Sequence, residues 1–181
     1  MKTLALALAL TSAFALSPTP ATAESIETPE ARVAATDAAE IARQDMVATF
    51  GTHSLKAGKY LWAKDPASGP ARVVVSLNDQ RAYVYRGDRL IAVSSISTGK
   101  PGKDTPTGIF SVLQKKPMHR SRKYDDAPMP FMQRIDQYGI ALHAGHNPGF
   151  PASHGCIRLP APFAAKLYGV TSLGSTVMIG A

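Results

Sequence analysis

From Arg72 onward the chain is written in short segments, each cut off by a turn. Val73, Val75 and Leu77 alternate with other residues until Asn78-Asp79-Gln80. Ala82-Tyr83-Val84-Tyr85 resumes the alternation, and Gly87-Asp88 has the composition of a hairpin turn. Leu90 to Ile96 and Gly108 to Leu113 read as further strands, separated by the loop TGKPGKDTPT at 98–107. Residues 115–130 carry Pro117, Pro128 and Pro130 together with His119 and read as a long loop. Phe131 to Gln137 and Ile140 to His143 form a hairpin around Tyr138-Gly139, and Thr176 to Ile179 is a closing strand. Pro162 to Tyr168 reads as a short helix, with proline at its start and Gly169 at its end. So many short strands, without an internal repeat, predict a mostly β sandwich or barrel with one or two short helices.

The first 23 residues have a different character. Met1-Lys2 is a short positive start, Leu4 to Leu16 is apolar apart from Thr11 and Ser12, and Ala21-Thr22-Ala23 is a small-x-small cleavage site. The apolar run is shorter than the ~20 residues that span a bilayer, so we read an export signal, with no transmembrane segment. Its removal leaves 158 residues, with 19 Lys and Arg against 13 Asp and Glu. A positive balance favours a polyanionic partner, and export favours an acidic wall polymer over nucleic acid. Residues 24–70 read as a linker or N-terminal extension. Val33, Ile41, Val47 and Phe50 give only a loose helical stripe, the mark of a solvated linker or marginal helix without chemistry. Trp62, ahead of the turn-rich Asp65-Pro66-Ala67-Ser68-Gly69-Pro70, reads as the anchor of that extension on the following domain.

Chemistry concentrates in IALHAGHNPGFPASHGCIRLP, residues 140–160, which hold three of the five histidines and the one cysteine. With a single Cys156 no internal disulfide forms. Gly155 permits a backbone with φ > 0 close to a substrate, so amides around Gly155-Cys156 can face a developing oxyanion. A histidine beside Cys156 can take the thiol proton and stabilise the thiolate, which would make the thiol alkylate well below about pH 8. His143, at a strand end, is a rigid place for such a base. Arg158 lies two residues past Cys156, on the same face of an alternating strand, where its planar fork suits a carboxylate. A metal reading competes, with His143, His146, His154 and Cys156 as zinc ligands. It lacks CxxC, HExxH and a nearby carboxylate, Asp136 being the closest. His119, among Lys115, Lys116, Arg120, Arg122 and Lys123, reads as part of a solvated basic loop rather than a specific anion site.

Ser153-His154-Gly155-Cys156-Ile157-Arg158 resembles the signature of the L,D-transpeptidases with a YkuD-type catalytic domain. Ser97-Thr98-Gly99 followed by Thr105-Pro106-Thr107-Gly108-Ile109-Phe110 resembles a second stretch of that family. Met129-Pro130-Phe131 followed by Gly139-Ile140-Ala141-Leu142-His143 resembles its lid and central strand. The resemblance implies a catalytic domain over 71–181, with Cys156 as nucleophile and His143 as general base and acid. The backbone carbonyl of Ala144 would orient His143, and the Gly155 and Cys156 amides would form the oxyanion hole. Ser153 and His154 would hold the nucleophile loop and line the acceptor side. Ser97, Thr98 and Gly99 read as residues behind the reacting groups. Two features differ from some members: the 13-residue step from His143 to Cys156, and Arg158 where others carry Asn.

The same resemblance implies an exported enzyme of the periplasm or cell wall that joins peptidoglycan stem peptides by 3→3 cross-links through a cysteine thioester. It implies neither metal nor other cofactor. Water as acceptor would make it an L,D-carboxypeptidase, and a lysine of an outer-membrane lipoprotein would make it a wall anchor. A catalytically silent wall-binding module with the same fold is the alternative of a different class.

Overall fold

The computed structural model describes residues 25–64 and 67–181, so the export segment 1–23 lies outside the described residues. The fold is mostly β: two sheets and two helices among the described residues. The first sheet contains β1 (Tyr60–Trp62), β2 (Ala71–Ser76), β3 (Arg81–Arg86), β4 (Arg89–Ser95), β5 (Gly108–Ser111) and β10 (Thr176–Gly180). Its order is β1-β4-β3-β2-β10-β5, with β10 parallel to β2 and the other pairs antiparallel. The second contains β6 (Gln114–Arg120), β7 (Pro128–Arg134), β8 (Ala141–Ala144) and β9 (Ile157–Leu159), in that order, with β8 and β9 parallel.

The main core lies between the sheets and α2 (Ala161–Val170). Val73, Val75, Ala82 and Val84 meet Leu142, Ile157, Leu159, Phe163 and Leu167 there. The intervening residues of the same strands, Val74, Tyr83 and Tyr85, are equally buried, in a second cluster on the opposite face. A sheet covered on both sides loses the apolar-polar alternation of a half-exposed one.

The cover on that second face is α1 (Pro29–Phe50), a 22-residue helix. This corrects the reading of a solvated linker or marginal helix. Thr28 caps its start by accepting the Ala31 amide, Pro29 occupies the first turn, and Gly51 ends it in the left-handed region at φ 69°. Its buried face is Ala31, Ala35, Ala39, Ala42 and Met46, whereas Val33 is 61% exposed and Ile41 58%. Small side chains bring the helix axis close to the sheet. A Cβ built on Gly180 of β10 would fall 2.5 Å from the Ala35 carbonyl oxygen. Tyr85 donates its hydroxyl to Asp45 at 2.7 Å across the same interface. Trp62 packs edge-on against Phe163 at 5.6 Å, so it does anchor the N-terminal segment on α2.

The stretch read as a long loop over 115–130 is largely the β6–β7 hairpin. β6 is an edge strand, where proline costs no ladder hydrogen bond on its outer side, so Pro117 is tolerated. Helix α2 runs through Gly169 to Val170 rather than ending at Tyr168. Its last carbonyls are taken by Thr171 Oγ1, which donates to Leu167, and by Lys115 Nζ, which donates to Tyr168 and Thr171. Lys115 is therefore a helix cap and not part of a solvated loop.

Candidate active site

The parallel pair β8–β9 sets the geometry. Its register places His143 opposite Arg158, so the two side chains share one face, and alternation puts Cys156 on that face too. The loop leading to Cys156 is fixed from behind by the Ser-Thr-Gly segment. Ser97 and Arg158 exchange both backbone hydrogen bonds at 3.0 and 2.9 Å. The Thr98 carbonyl accepts from the Ala152 and Ser153 amides, each at 2.9 Å, and the Lys100 amide donates to Ser153. Gln80 is buried beneath them and holds Thr98 at both its amide and its hydroxyl. Thr105 Oγ1 donates to the Gly155 carbonyl at 2.7 Å and accepts the Gly99 amide. Buried polar groups of a loop must be paired, and this set pairs them while fixing its shape.

His143 is 6% exposed, and its Nδ1 lies 2.8 Å from the Ala144 carbonyl oxygen. A carbonyl can only accept, so the proton sits on Nδ1 and Nε2 keeps a free lone pair. Burial pushes the imidazole below its ordinary range. The Ala144 hydrogen bond pulls it back, and the charges of Arg158 and His119 push it further down.

Cys156 is half-buried against Met129, Met132 and Ala141, with Sγ directed at the Gly139 carbonyl at 3.7 Å. Burial pushes the thiol above its ordinary range; the Ala141 amide opposes it, the Asp136 charge adds to it, and Arg158 opposes it. Both shifts favour neutral thiol and neutral imidazole. For Cys156 desolvation outweighs the nearby cation, a direction opposite to the expectation of a resting thiolate.

The remaining site residues fall into different places. Gly155, at φ 113°, donates its amide to Ser153 Oγ at 3.1 Å, so that amide is already engaged rather than open to an oxyanion. Ser153 Oγ in turn donates to the Cys156 carbonyl at 2.6 Å and is buried, so it staples the loop and has no face for substrate. His154 is exposed and stacks on Tyr124, with centroids 4.4 Å apart and planes at 17°. His146 is exposed on the following loop, and no three His, Cys, Asp or Glu side chains gather as a ligand set among the described residues.

Arg158 is half-buried. Its aliphatic stem lies where a Cβ on Gly145 would come within 3.1 to 3.4 Å, and Nη1 is 3.5 Å from the Ala152 carbonyl oxygen. It makes no ion pair; among the described residues those are Arg43–Glu40 and Arg120–Asp126. Asp136 holds the β7–β8 turn instead, its Oδ1 accepting the amides of Tyr138, Gly139 and Ile140 at 2.7 to 2.9 Å. That turn supplies the Gly139 carbonyl facing Sγ. Gln80, Thr105 and Asp136 are the supporting residues that sequence reasoning missed. The only signal for Asp136 was a carboxylate just before Tyr138-Gly139, a common way to satisfy turn amides.

A β sandwich with a cysteine, a buried carbonyl-oriented histidine and an arginine on one face defines a candidate for thiol-based acyl transfer. The L,D-transpeptidase catalytic domain family, YkuD, matches residues 70–179, and the chain belongs to that family. It is 28% identical over 120 residues to a Bacillus licheniformis protein named as an L,D-transpeptidase, YkuD, covering 64% of this chain and 69% of that one. Among solved structures, an L,D-transpeptidase from Stackebrandtia nassauensis is 25% identical with a TM-score of 0.57, over 77% of this chain and 64% of its own. L,D-transpeptidase 3 from Mycobacterium tuberculosis, solved with a faropenem-derived adduct, shares the fold at 21% identity and a TM-score of 0.57, over 62% of this chain and 60% of its own. The match spans less than two thirds of both solved structures.

Proposed function

We propose that this protein is an exported peptidoglycan L,D-transpeptidase that makes 3→3 cross-links through a thioester on Cys156. The observation that carries the reading is the His143 Nδ1 to Ala144 hydrogen bond on the strand beside the Cys156 loop, which leaves Nε2 as a base. As a stem carbonyl approaches, the thiol proton passes to His143, Sγ attacks the carbonyl carbon of the third residue, and the C–N bond to the terminal D-Ala breaks. The Cys156 amide is the oxyanion donor, because Ser153 occupies that of Gly155. His143 protonates the departing D-Ala, leaving the thioester. A side-chain amine of a second stem then attacks, its proton returns through His143, and the thiol is restored. Arg158, a cation without an acidic partner, holds a substrate carboxylate. The apolar leader and the positive charge support a place in the periplasm or wall. No helix among the described residues is long and apolar enough to cross a membrane.

The test is purified tetrapeptide muropeptide incubated with the full chain, products read by mass. A dimer with loss of D-Ala supports the reading. A tripeptide alone assigns carboxypeptidase activity instead, and transfer only to a lipoprotein lysine assigns anchoring. Cys156→Ala should abolish turnover while melting normally, since the chain has no second thiol. Turnover retained by that mutant would sink covalent catalysis. A carbapenem should add one drug mass to the wild type, on the peptide that contains Cys156.

A further inference from the structure

Residues 145–156 join β8 to β9, and Arg158 lies along the first part of that loop. Its stem rests where a Cβ on Gly145 would come within 3.1 to 3.4 Å, and Nη1 reaches the Ala152 carbonyl at 3.5 Å. Gly145 is not one of the glycines with positive φ, so the side chain it lacks makes room for the arginine rather than for a turn. Among the described residues the guanidinium has no carboxylate partner. Where it points is therefore set by the shape of residues 145–152.

Backbone bonds pin that stretch at its ends: the Gly145 amide donates to the Leu159 carbonyl at 3.0 Å, and the Ala152 amide to that of Thr98 at 2.9 Å. Between the ends two side chains hold it. Ser97 Oγ donates to the Phe150 carbonyl at 2.7 Å. Asn147 Nδ2 donates to the Ser95 carbonyl at 2.8 Å and to Ser95 Oγ at 3.1 Å, and its Oδ1 accepts the Gly149 amide at 3.0 Å. A carbonyl only accepts and an amide N–H only donates, so these partners fix which end of the Asn147 amide is which. Ser95 is buried and ties the loop to the N-terminal extension, its amide and hydroxyl both donating to the Lys59 carbonyl at 3.0 and 3.1 Å. Gly149 lies against the same extension, where an added Cβ would fall 2.7 Å from that of Ala57. Residues 57–59 thus back the loop that seats Arg158.

We propose that Asn147 is a positioning residue for the substrate carboxylate: it fixes the loop on which Arg158 lies and so aims the guanidinium. It acts through Arg158 and takes no part in the chemistry. The inference rests on the role given to Arg158 above. Its test reads binding rather than turnover, so the two can fail separately.

The probes are a tetrapeptide stem and the same peptide with every carboxylate amidated. Each is titrated by calorimetry into the full chain carrying Cys156→Ala, which reads binding without acylation. Adding Asn147→Ala should weaken the acid peptide roughly twofold to tenfold, the span of one net hydrogen bond, and leave the amidated peptide unchanged. Gly145→Ala presses on Arg158 from the other end of the stretch without touching Ser95 and should give the same selective loss. It decides the matter on its own if Asn147→Ala fails to fold. Asn147→Ala should cost less in a chain that already carries Arg158→Lys, because both act on one contact. Equal losses for the two peptides, a parent chain with no preference for the acid form, or an effect undiminished by Arg158→Lys overturns the inference. A selective loss in a protein whose wild type turns over no muropeptide upholds Asn147 and overturns the proposed function alone. Turnover by a wild type whose Asn147→Ala variant loses both peptides equally does the reverse.

Discussion

The six-stranded sheet is buried from both sides, by the inter-sheet core and by α1, whereas the four-stranded sheet leaves a hairpin arm standing beyond β8. In the first, successive residues of β2 and β3 alternate between two apolar clusters, and each strand is pinned along its full length. In the second, the paired stretch between β7 and β8 is two residues long, and the candidate site sits at its end. Regions with many buried apolar contacts open only near the cost of global unfolding, while sparsely packed ones open locally. The difference teaches where mutations should register: in stability on the first sheet, in reactivity on the second.

The largest effect expected on reactivity comes from His143→Ala. Burial holds His143 below the ordinary imidazole range of about 6.5 and Cys156 above the ordinary thiol range of about 8.5. Between those limits both groups are neutral and the imidazole can accept the thiol proton as acylation begins. Wild-type acylation should therefore hold at neutral pH and fall only once His143 protonates, below about 6.5. Direct alkylation needs the thiolate and should climb only above about 8.5. His143→Ala should slow acylation about 10²–10⁴-fold and move its pH profile onto that of alkylation, with partial recovery in alkali. His154→Ala should leave the acylation profile in place. If His154→Ala moves the profile and His143→Ala does not, the two roles must be exchanged.

The converse test strikes the first sheet. Met46 is 1% exposed and packs in the cluster with Tyr83, Tyr85, Leu90 and Val93. Met46→Ala should cost about 2–5 kcal/mol, or roughly 5–15 °C in Tm, with kcat for muropeptide little changed at temperatures where the chain is folded. A melting curve like that of wild type would mean that α1 contributes little to the fold. The contrast between the regions would then fail on its stable side.

A smaller effect is expected from Arg158→Lys, which keeps the charge but loses the planar fork. The guanidinium has no acidic partner to lose, so Tm should stay near wild type. KM for a stem peptide should rise roughly tenfold or more, more than kcat falls, as the loss of about one charge-assisted hydrogen bond gives. A large drop in Tm with unchanged kinetics would make Arg158 a structural residue.

What could be read in the sequence divides along the same line. The family resemblance of Ser153 to Arg158 was legible because those residues are consecutive and need no tertiary contact to be recognised. The strand rhythm was legible wherever a turn residue punctuated it. Helix α1 was not, because its buried face is mostly alanine and carries little hydropathy contrast with the exposed Val33 and Ile41. The β6–β7 hairpin was hidden by prolines, which argue against a central strand but suit an edge and an arm beyond the neighbouring strand. The expectation that Ser153 holds the loop fits its bonds, but a hydroxyl and an amide in a signature also invite outward roles for Ser153 and Gly155. Only the fold shows that each satisfies the other.

The smallest effect is the most specific check on α1. The apolar residues that suggested a helical stripe, Val33 and Ile41, point to water at 61% and 58% exposure. Ile41→Ser removes no core contact and leaves no cavity, so surface behaviour applies, a change within about 0.5 kcal/mol. Serine is close to isoleucine in helix propensity, which keeps the backbone term small as well. Ala42→Leu, one position along, puts added bulk into a fully buried site between the helix and the sheet and should cost about 1–3 kcal/mol from overpacking. Chemical denaturation of both mutants beside wild type measures the difference. If Ile41→Ser destabilises more than Ala42→Leu, the helix presents its other face to the sheet, and alanine is not what brings α1 close to β10.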